Sequence, residues 1–187
     1  MIKAIAASIA VVMATTANAA DSYTIDSRHT FPSFEVSHLG FSTQRGRFNS
    51  TKGKIVLDRK IKTGSIDITI ATTTLDTGLD KLEEHLRGVD FFNTEIYPAM
   101  TFKSDKITYN GDAPSKIDGE ITLLGVTKPL TLTLTHFRCG IHPMLKKEVC
   151  GADASGTIKR SDFGMKYAVP AVGDEVKILI QVEAIKD

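Results

Sequence analysis

Three observations predict an all-β fold of about eight antiparallel strands with one short helical insertion between the third and fourth. Apolar and polar residues alternate along most of the chain, as in Ile66, Ile68 and Ile70 against Asp67 and Thr69. That period of two marks strands with one face buried. Few of these runs are apolar on both faces, which argues for antiparallel rather than βαβ construction. A single stretch, around residues 79–89, switches to helical spacing. Eight such strands form a sandwich or close into a barrel, and the alternation alone leaves both open.

The stretch His29–Phe48 carries the first two strands. Phe34, Val36 and His38 share one parity, and Ser33, Glu35 and Ser37 share the other. Pro32 lacks an N–H and belongs at a strand's edge or at a bulge. Leu39-Gly40-Phe41 leaves this strand with two large apolar side chains. The aromatic-rich face with a histidine in it reads as the wall of an apolar pocket with a few polar points. An ordinary half-buried edge strand explains the same alternation.

Tyr23–Asp26 is a short lead-in strand. The second main strand spans Arg45–Asp58, with Gly46 and Gly53 as expected bends, and Lys62-Thr63-Gly64 is a turn. The third, Ser65–Thr73, is β-branched almost throughout, which favours a strand. Leu79, Leu82, Leu86 and Val89 then recur at helical spacing. A helix over Leu79–Arg87 is expected, with Thr77 as its cap, Asp80 in its first turn and Gly88 ending it. The adjacent Phe91 and Phe92 cannot both point to one side of a strand, so they suit a turn that covers an opening.

The fourth strand is Ala99–Tyr109. A loop follows through Pro114, then a fifth strand, Lys116–Leu124, with Ile117, Ile121 and Leu123 on one side. Gly125 turns into Thr127–Cys139, where Leu130, Leu132 and Leu134 alternate with threonines. Residues 140–149 form a loop, and Cys150–Arg160 returns from it. Ser161–Gly173 is a longer connection holding Phe163, Met165 and Tyr167, in which Arg160 and Asp162 are expected to pair. The last strand, Glu175–Ile185, presents Val176, Ile178, Ile180 and Val182 to one side.

The amino terminus has another purpose. Lys3 precedes an apolar run, Ala4–Ala14, and Ala17-Asn18-Ala19 is a small-residue cleavage site, the pattern of a secretory signal peptide. Residues 1–19 are therefore assigned to the signal and 20–187 to one domain. The run is shorter than the roughly 20 residues that span a bilayer, so no transmembrane segment is expected. The chain's formal net charge is +1, of which the signal carries Lys3. The mature chain is thus near neutral, which disfavours nucleic acid or an anionic membrane as partner.

Cys139 and Cys150 are the two cysteines of the chain. An exported chain meets an oxidising compartment, so a disulfide is the default reading. Cys139-Gly-Ile-His142 also has metal-ligand spacing, but Met144 is a poor further ligand for zinc, and no metal is assigned. Catalytic signatures such as Gly-x-Ser-x-Gly and His-Glu-x-x-His are missing from the sequence. The five histidines are scattered, and no catalytic residue is assigned.

Taken together, several pieces resemble one family. They are His29…Phe34-x-Val36-x-His38-x-Gly40, Arg45-Gly46-x-Phe48, Phe91-Phe92…Tyr97-Pro98…Phe102-x-Ser104, Gly119…Leu123-x-Gly125-Val126-Thr127-x-Pro129-Leu130 and Arg160-x-x-Phe163-Gly164. In this order, over the whole mature chain, they resemble the YceI-like family of secreted polyisoprenoid-binding proteins. Cys139-Gly-x-His142-Pro143…Cys150-Gly-Ala-Asp looks like its periplasmic branch.

The resemblance implies an extended lipocalin-like barrel holding an isoprenoid lipid, such as a quinone or polyprenyl phosphate, in an elongated tunnel. It implies a Gram-negative periplasmic location, a lipid occupant in place of a cofactor, and leaves oligomeric state open, a dimer included. A polyprenyl tail needs an apolar tube with a polar mouth, and flat rings and thioethers conform to a branched chain. The candidate ligand contacts are Phe34, Val36, His38, Phe41, Phe48, Phe91, Phe92, Met100, Phe102, Ile121, Leu123, Phe163 and Met165. Arg45 and Arg47 are candidates for holding a phosphate at the mouth. The competing readings are an enzyme acting on such a lipid, with His38 as the best candidate base, and a stress-response structural protein whose core is filled.

Overall fold

The computed structural model describes residues 20–187; the signal-peptide assignment lies outside them. The described residues form eleven strands in one sheet that closes on itself. β1 (Asp21–Ile25), β2 (Ser33–His38), β3 (Ser42–Phe48), β4 (Thr51–Asp58) and β5 (Thr63–Ala71) come first. β6 (Leu75–Asp76) and helix α1 (Asp80–Arg87) form the insertion. β7 (Ala99–Asn110), β8 (Ala113–Leu123), β9 (Val126–Ile141), β10 (Glu148–Lys159) and β11 (Val172–Lys186) complete the sheet.

Eight staves make the barrel because two of them are interrupted. β1 and β2 both pair with β11, Tyr23 opposite Lys186 and Phe34 opposite Ile178, so they act as one broken strand. β3 and β4 are the halves of the next, pairing with β2 and β1 respectively. The break falls at Asn49–Ser50 rather than at Gly46 or Gly53. The N–H groups of Asn49 and Ser50 turn there to the Thr74 hydroxyl, at 3.2 and 3.1 Å. β1 joins β4 on one side and β11 on the other, which closes the ring.

Inward residues follow the alternation. Ile66, Ile68 and Ile70, then Leu130, Leu132 and Leu134, then Val176 to Val182 on the even positions all face the interior. Register shifts reset the parity along the barrel. One lies beside Ala154, so that Phe137 rather than His136 points inward. Another, between Lys103 and Lys106, brings Ile107 inward after Phe102. A third lets β8 begin at Ala113, with Pro114 inside the strand opposite Tyr109 instead of in a loop. A residue without an N–H fits where the ladder is already irregular.

The helix differs from expectation at its N-terminal end and ends where expected. Leu79 is its N-cap, with no side-chain cap, and Thr77 instead gives its backbone N–H to Glu83 Oε1 at 2.8 Å. Gly88 ends the helix in an extended conformation. Leu82 and Leu86 face the barrel, whereas Val89, past the last turn, is exposed, as is Leu79. The turn after Gly88 buries Phe91 and Phe92 in Val89's place, and Phe92 packs edge-on against Phe48 at 5.4 Å.

Cys139 and Cys150 are directly opposed on β9 and β10 and form a disulfide. The expected Arg160–Asp162 pair does not form: Asp162 is exposed, on a short 3-10 turn that throws it outward. Arg160 is buried and gives its N–H groups to three backbone carbonyls instead: Gly173 at 2.8 Å, Val172 at 2.9 Å and Met165 at 3.2 Å.

Candidate functional site

The barrel is hollow. A cavity of about 540 Å³ runs along its inside, walled almost entirely by carbon. One end is lined by Tyr23, Ile55, Leu57, Ile107, Pro114 and Phe137, all buried or half-buried. The exposed residues that line it, Leu39, Arg45, His85, Tyr167 and Ala168, belong to the other end. The cavity is therefore a sleeve with one mouth. Its interior is not the filled core of the structural reading.

The mouth is assembled from three segments. The β2–β3 turn supplies Leu39, and the β10–β11 connection supplies Tyr167 and Ala168, tied to the turn by Leu39 N–H donating to the Ala171 carbonyl at 2.9 Å. Helix α1 supplies His85, whose ring meets Tyr167 edge-on at 5.2 Å and Phe91 at 5.0 Å. These aromatic contacts join the insertion to the connection, so the rim is one packed assembly.

The polar groups in the wall are mostly committed. Thr30 exchanges both of its hydroxyl bonds with the Glu183 backbone. Tyr23 donates to Glu148 Oε1 at 2.5 Å, and burial with this bond pushes its hydroxyl well above the usual tyrosine range. Arg160 sits 5.9 Å over the Phe91 ring, and burial lowers its guanidinium from the usual value. Arg45 is bound to Glu35 at 2.8 Å, and Arg47 stacks over Phe31 at 5.0 Å while reaching Asp76. Both arginines are thus engaged with neighbours, and of the two only Arg45 lines the cavity.

Of the candidate contacts, Phe34, Val36, His38, Phe48, Phe91, Phe92, Met100, Phe102, Ile121, Leu123 and Met165 line the cavity. Two do not. Phe41 is 89% exposed, because the tight β2–β3 turn carries it outside the barrel. Phe163, on the 3-10 turn, is buried in the core but is not part of the cavity lining. Sequence reasoning assigned no contact role to His85, Tyr167 or Ala154. The inward parity of β10 marks Ala154, but His85 and Tyr167 reach the mouth only through tertiary packing.

Among the described residues, no three His, Cys, Asp or Glu side chains gather as a metal site, and no helix is long and apolar enough to cross a membrane. Cys139 is consumed by its disulfide. His142 uses Nδ1 to accept the Met144 and Leu145 N–H groups at 3.3 and 3.2 Å.

Known proteins share this construction. Over 167 residues the chain is 38% identical to the protein YceI of Escherichia coli O6:H1, covering 88% of this chain and 86% of that one. The crystal structure of the Campylobacter jejuni YceI protein superposes with a TM-score of 0.69 at 29% identity, covering 81% and 90% of the two chains. A polyisoprenoid binding domain from Saccharophagus degradans has the same fold, with a TM-score of 0.67 at 15% identity over 88% of this chain and 98% of that one. The model of the YceI-like domain matches residues 23–184, and the chain belongs to that family.

Proposed function

We propose that this protein is a periplasmic carrier or buffer for an isoprenoid lipid of the quinone or polyprenyl phosphate class, with its tail in the sleeve and its head at the mouth. The observation that carries the reading is the single-mouthed apolar cavity. Burial contributes roughly 0.8 kcal/mol per methylene, so a tail of several isoprene units offsets the roughly 4–15 kcal/mol cost of association. His38, Gln44, Arg45, His85 and Tyr167 supply polar atoms where a headgroup would stop. The polyisoprenoid binding domain from Saccharophagus degradans, which shares the fold, supports the same reading. The leader sequence and the Cys139–Cys150 disulfide suit export to an oxidising compartment.

The test is mass spectrometry of a solvent extract from the purified protein, followed by titration with a long-chain quinone. A long-chain lipid at about one per chain is expected. Repeated preparations with no lipid, together with no uptake of added quinone, overturn the reading.

A further inference from the structure

A tail that enters the sleeve has to pass the rim. Leu39 and Gly40 occupy the centre of the β2–β3 turn, which Phe41 N–H closes by donating to the His38 carbonyl at 3.0 Å. Both central residues have positive φ, 54° and 72°. Such turns favour Asn and Gly, and a leucine there is strained. The turn therefore holds a large apolar side chain at a position that costs conformational energy. It also leaves Leu39 51% and Phe41 89% exposed to water. Tyr167, across the mouth, is 49% exposed, and Val89, next to the buried Phe91 turn, is 81% exposed.

Leu39 and Tyr167 are at once exposed and part of the cavity wall. The apolar surface is thus continuous from the outside of the rim into the sleeve. Of the cations in the cavity wall, Arg45 is paired with Glu35 at 2.8 Å and Arg160 is buried against backbone carbonyls. An apolar rim around an apolar passage fits the hydrocarbon of a bilayer rather than a charged partner.

We propose that this rim, led by Phe41 and Leu39, docks on a lipid bilayer, so that a tail passes from membrane to sleeve without crossing water. This rests on the lipid-carrier reading and extends it to the site of loading. Docking is by apolar insertion, so it proceeds on uncharged vesicles and resists salt. A second exposed apolar tip, Ile141 at the end of β9 and Met144 in the loop after it, lies at the opposite end of the barrel beside Lys146 and Lys147, and serves as the control.

The experiment is flotation of the mature protein with phosphatidylcholine vesicles, at low and high salt, for the wild type, Phe41→Asp and Met144→Asp. Uptake of a long-chain quinone from detergent micelles is measured on the same samples. The wild type is expected to float at both salt concentrations. Phe41→Asp is expected to lower vesicle partitioning by about tenfold or more, with Met144→Asp within about twofold of wild type. Quinone uptake from micelles is expected to be equal in all three, since Phe41 lies outside the cavity. A wild type that does not float, a Phe41→Asp variant that floats equally well, or dependence on Met144 instead overturns the docking proposal. Quinone uptake missing in the wild type strikes the carrier reading alone, because flotation is scored separately.

Discussion

The Phe102 ring lies across Gly119 on the neighbouring strand. A β-carbon placed on Gly119 would stand 2.6 Å from Phe102 Cζ and closer still to the Lys103 carbonyl oxygen. Gly119 shares its parity with Ile117, Ile121 and Leu123, so it is an inward position left empty for a ring. Gly119→Ala is expected to destabilise the fold by about 1–3 kcal/mol, since the carbonyl cannot move aside without disturbing β7. Urea unfolding checks this, as a lower midpoint at unchanged slope.

The sleeve's capacity is testable at Ala154. This small residue is buried on β10, opposite Ile180, and lines the cavity. A larger side chain there has empty space to enter. Ala154→Phe is expected to lower quinone uptake by about tenfold or more while changing stability by less than about 1 kcal/mol, because the added ring fills a void instead of overpacking a core. Uptake measured alongside thermal unfolding separates the two effects. Full uptake in a folded variant would show that the lipid lies elsewhere.

These two sites mark what could be read from the sequence. The barrel's inward faces were legible at Ile66–Ile70, Leu130–Leu134 and Val176–Val182, because a strand with one wet side must alternate. Phe137 and Pro114 were not, since a register shift moves parity by one residue and leaves no compositional trace. Val89 continued the helical spacing past Gly88, but the following turn had two phenylalanines to bury. Phe41 reads as wall because it is aromatic and adjacent, but turn geometry sends it outside. His85 and Tyr167 come together at the mouth across 82 positions of sequence, which no local pattern encodes.

Arg160 offers a contrast with its neighbour. It holds the connection to β11 by donating to the carbonyls of Gly173, Val172 and Met165, and it is 3% exposed. Asp174, near it, accepts from the Ser161 N–H at 2.9 Å and its hydroxyl at 2.8 Å, which hold its carboxyl below the usual range. Arg160→Met leaves three carbonyls short of donors and is expected to cost about 3 kcal/mol or more. Asp162→Ala, on the exposed side of the same turn, is expected to stay within about 0.5 kcal/mol of wild type. Parallel denaturant titrations of the two variants check the difference.

The disulfide closes a short hairpin at the end far from the mouth. Chain-entropy reasoning for Cys139 and Cys150, 11 apart in sequence, puts its contribution at about 2–3 kcal/mol. The Cys139→Ser/Cys150→Ser double variant is expected to lose that much stability. Quinone uptake is expected to survive wherever the variant stays folded, because the mouth is built from β2, α1 and the β10–β11 connection. Uptake measured well below the unfolding temperature tests the separation.

Asp26 ties stability to pH. Its carboxylate is nearly sealed from solvent and accepts from the Arg28 Nε and Nη2 groups at 3.0 Å each and from the Arg28 backbone N–H at 3.1 Å. His29 Nδ1 stands 3.0 Å away. The Arg28 bonds above all, with help from His29, outweigh burial and hold this carboxyl well below its ordinary range. The unfolded chain therefore takes up a proton, near pH 4, before the folded one does. In that window unfolding binds protons, so the stabilisation is complete above it and falls as the solution is acidified through it. Asp26→Asn cannot titrate. It is expected to be about 1–3 kcal/mol less stable than wild type at neutral pH, with the gap shrinking steadily below about pH 4. Urea midpoints for both proteins across an acid series measure this directly. A gap that stays constant with pH would mean that the bonds to Arg28 do not favour the charged carboxylate.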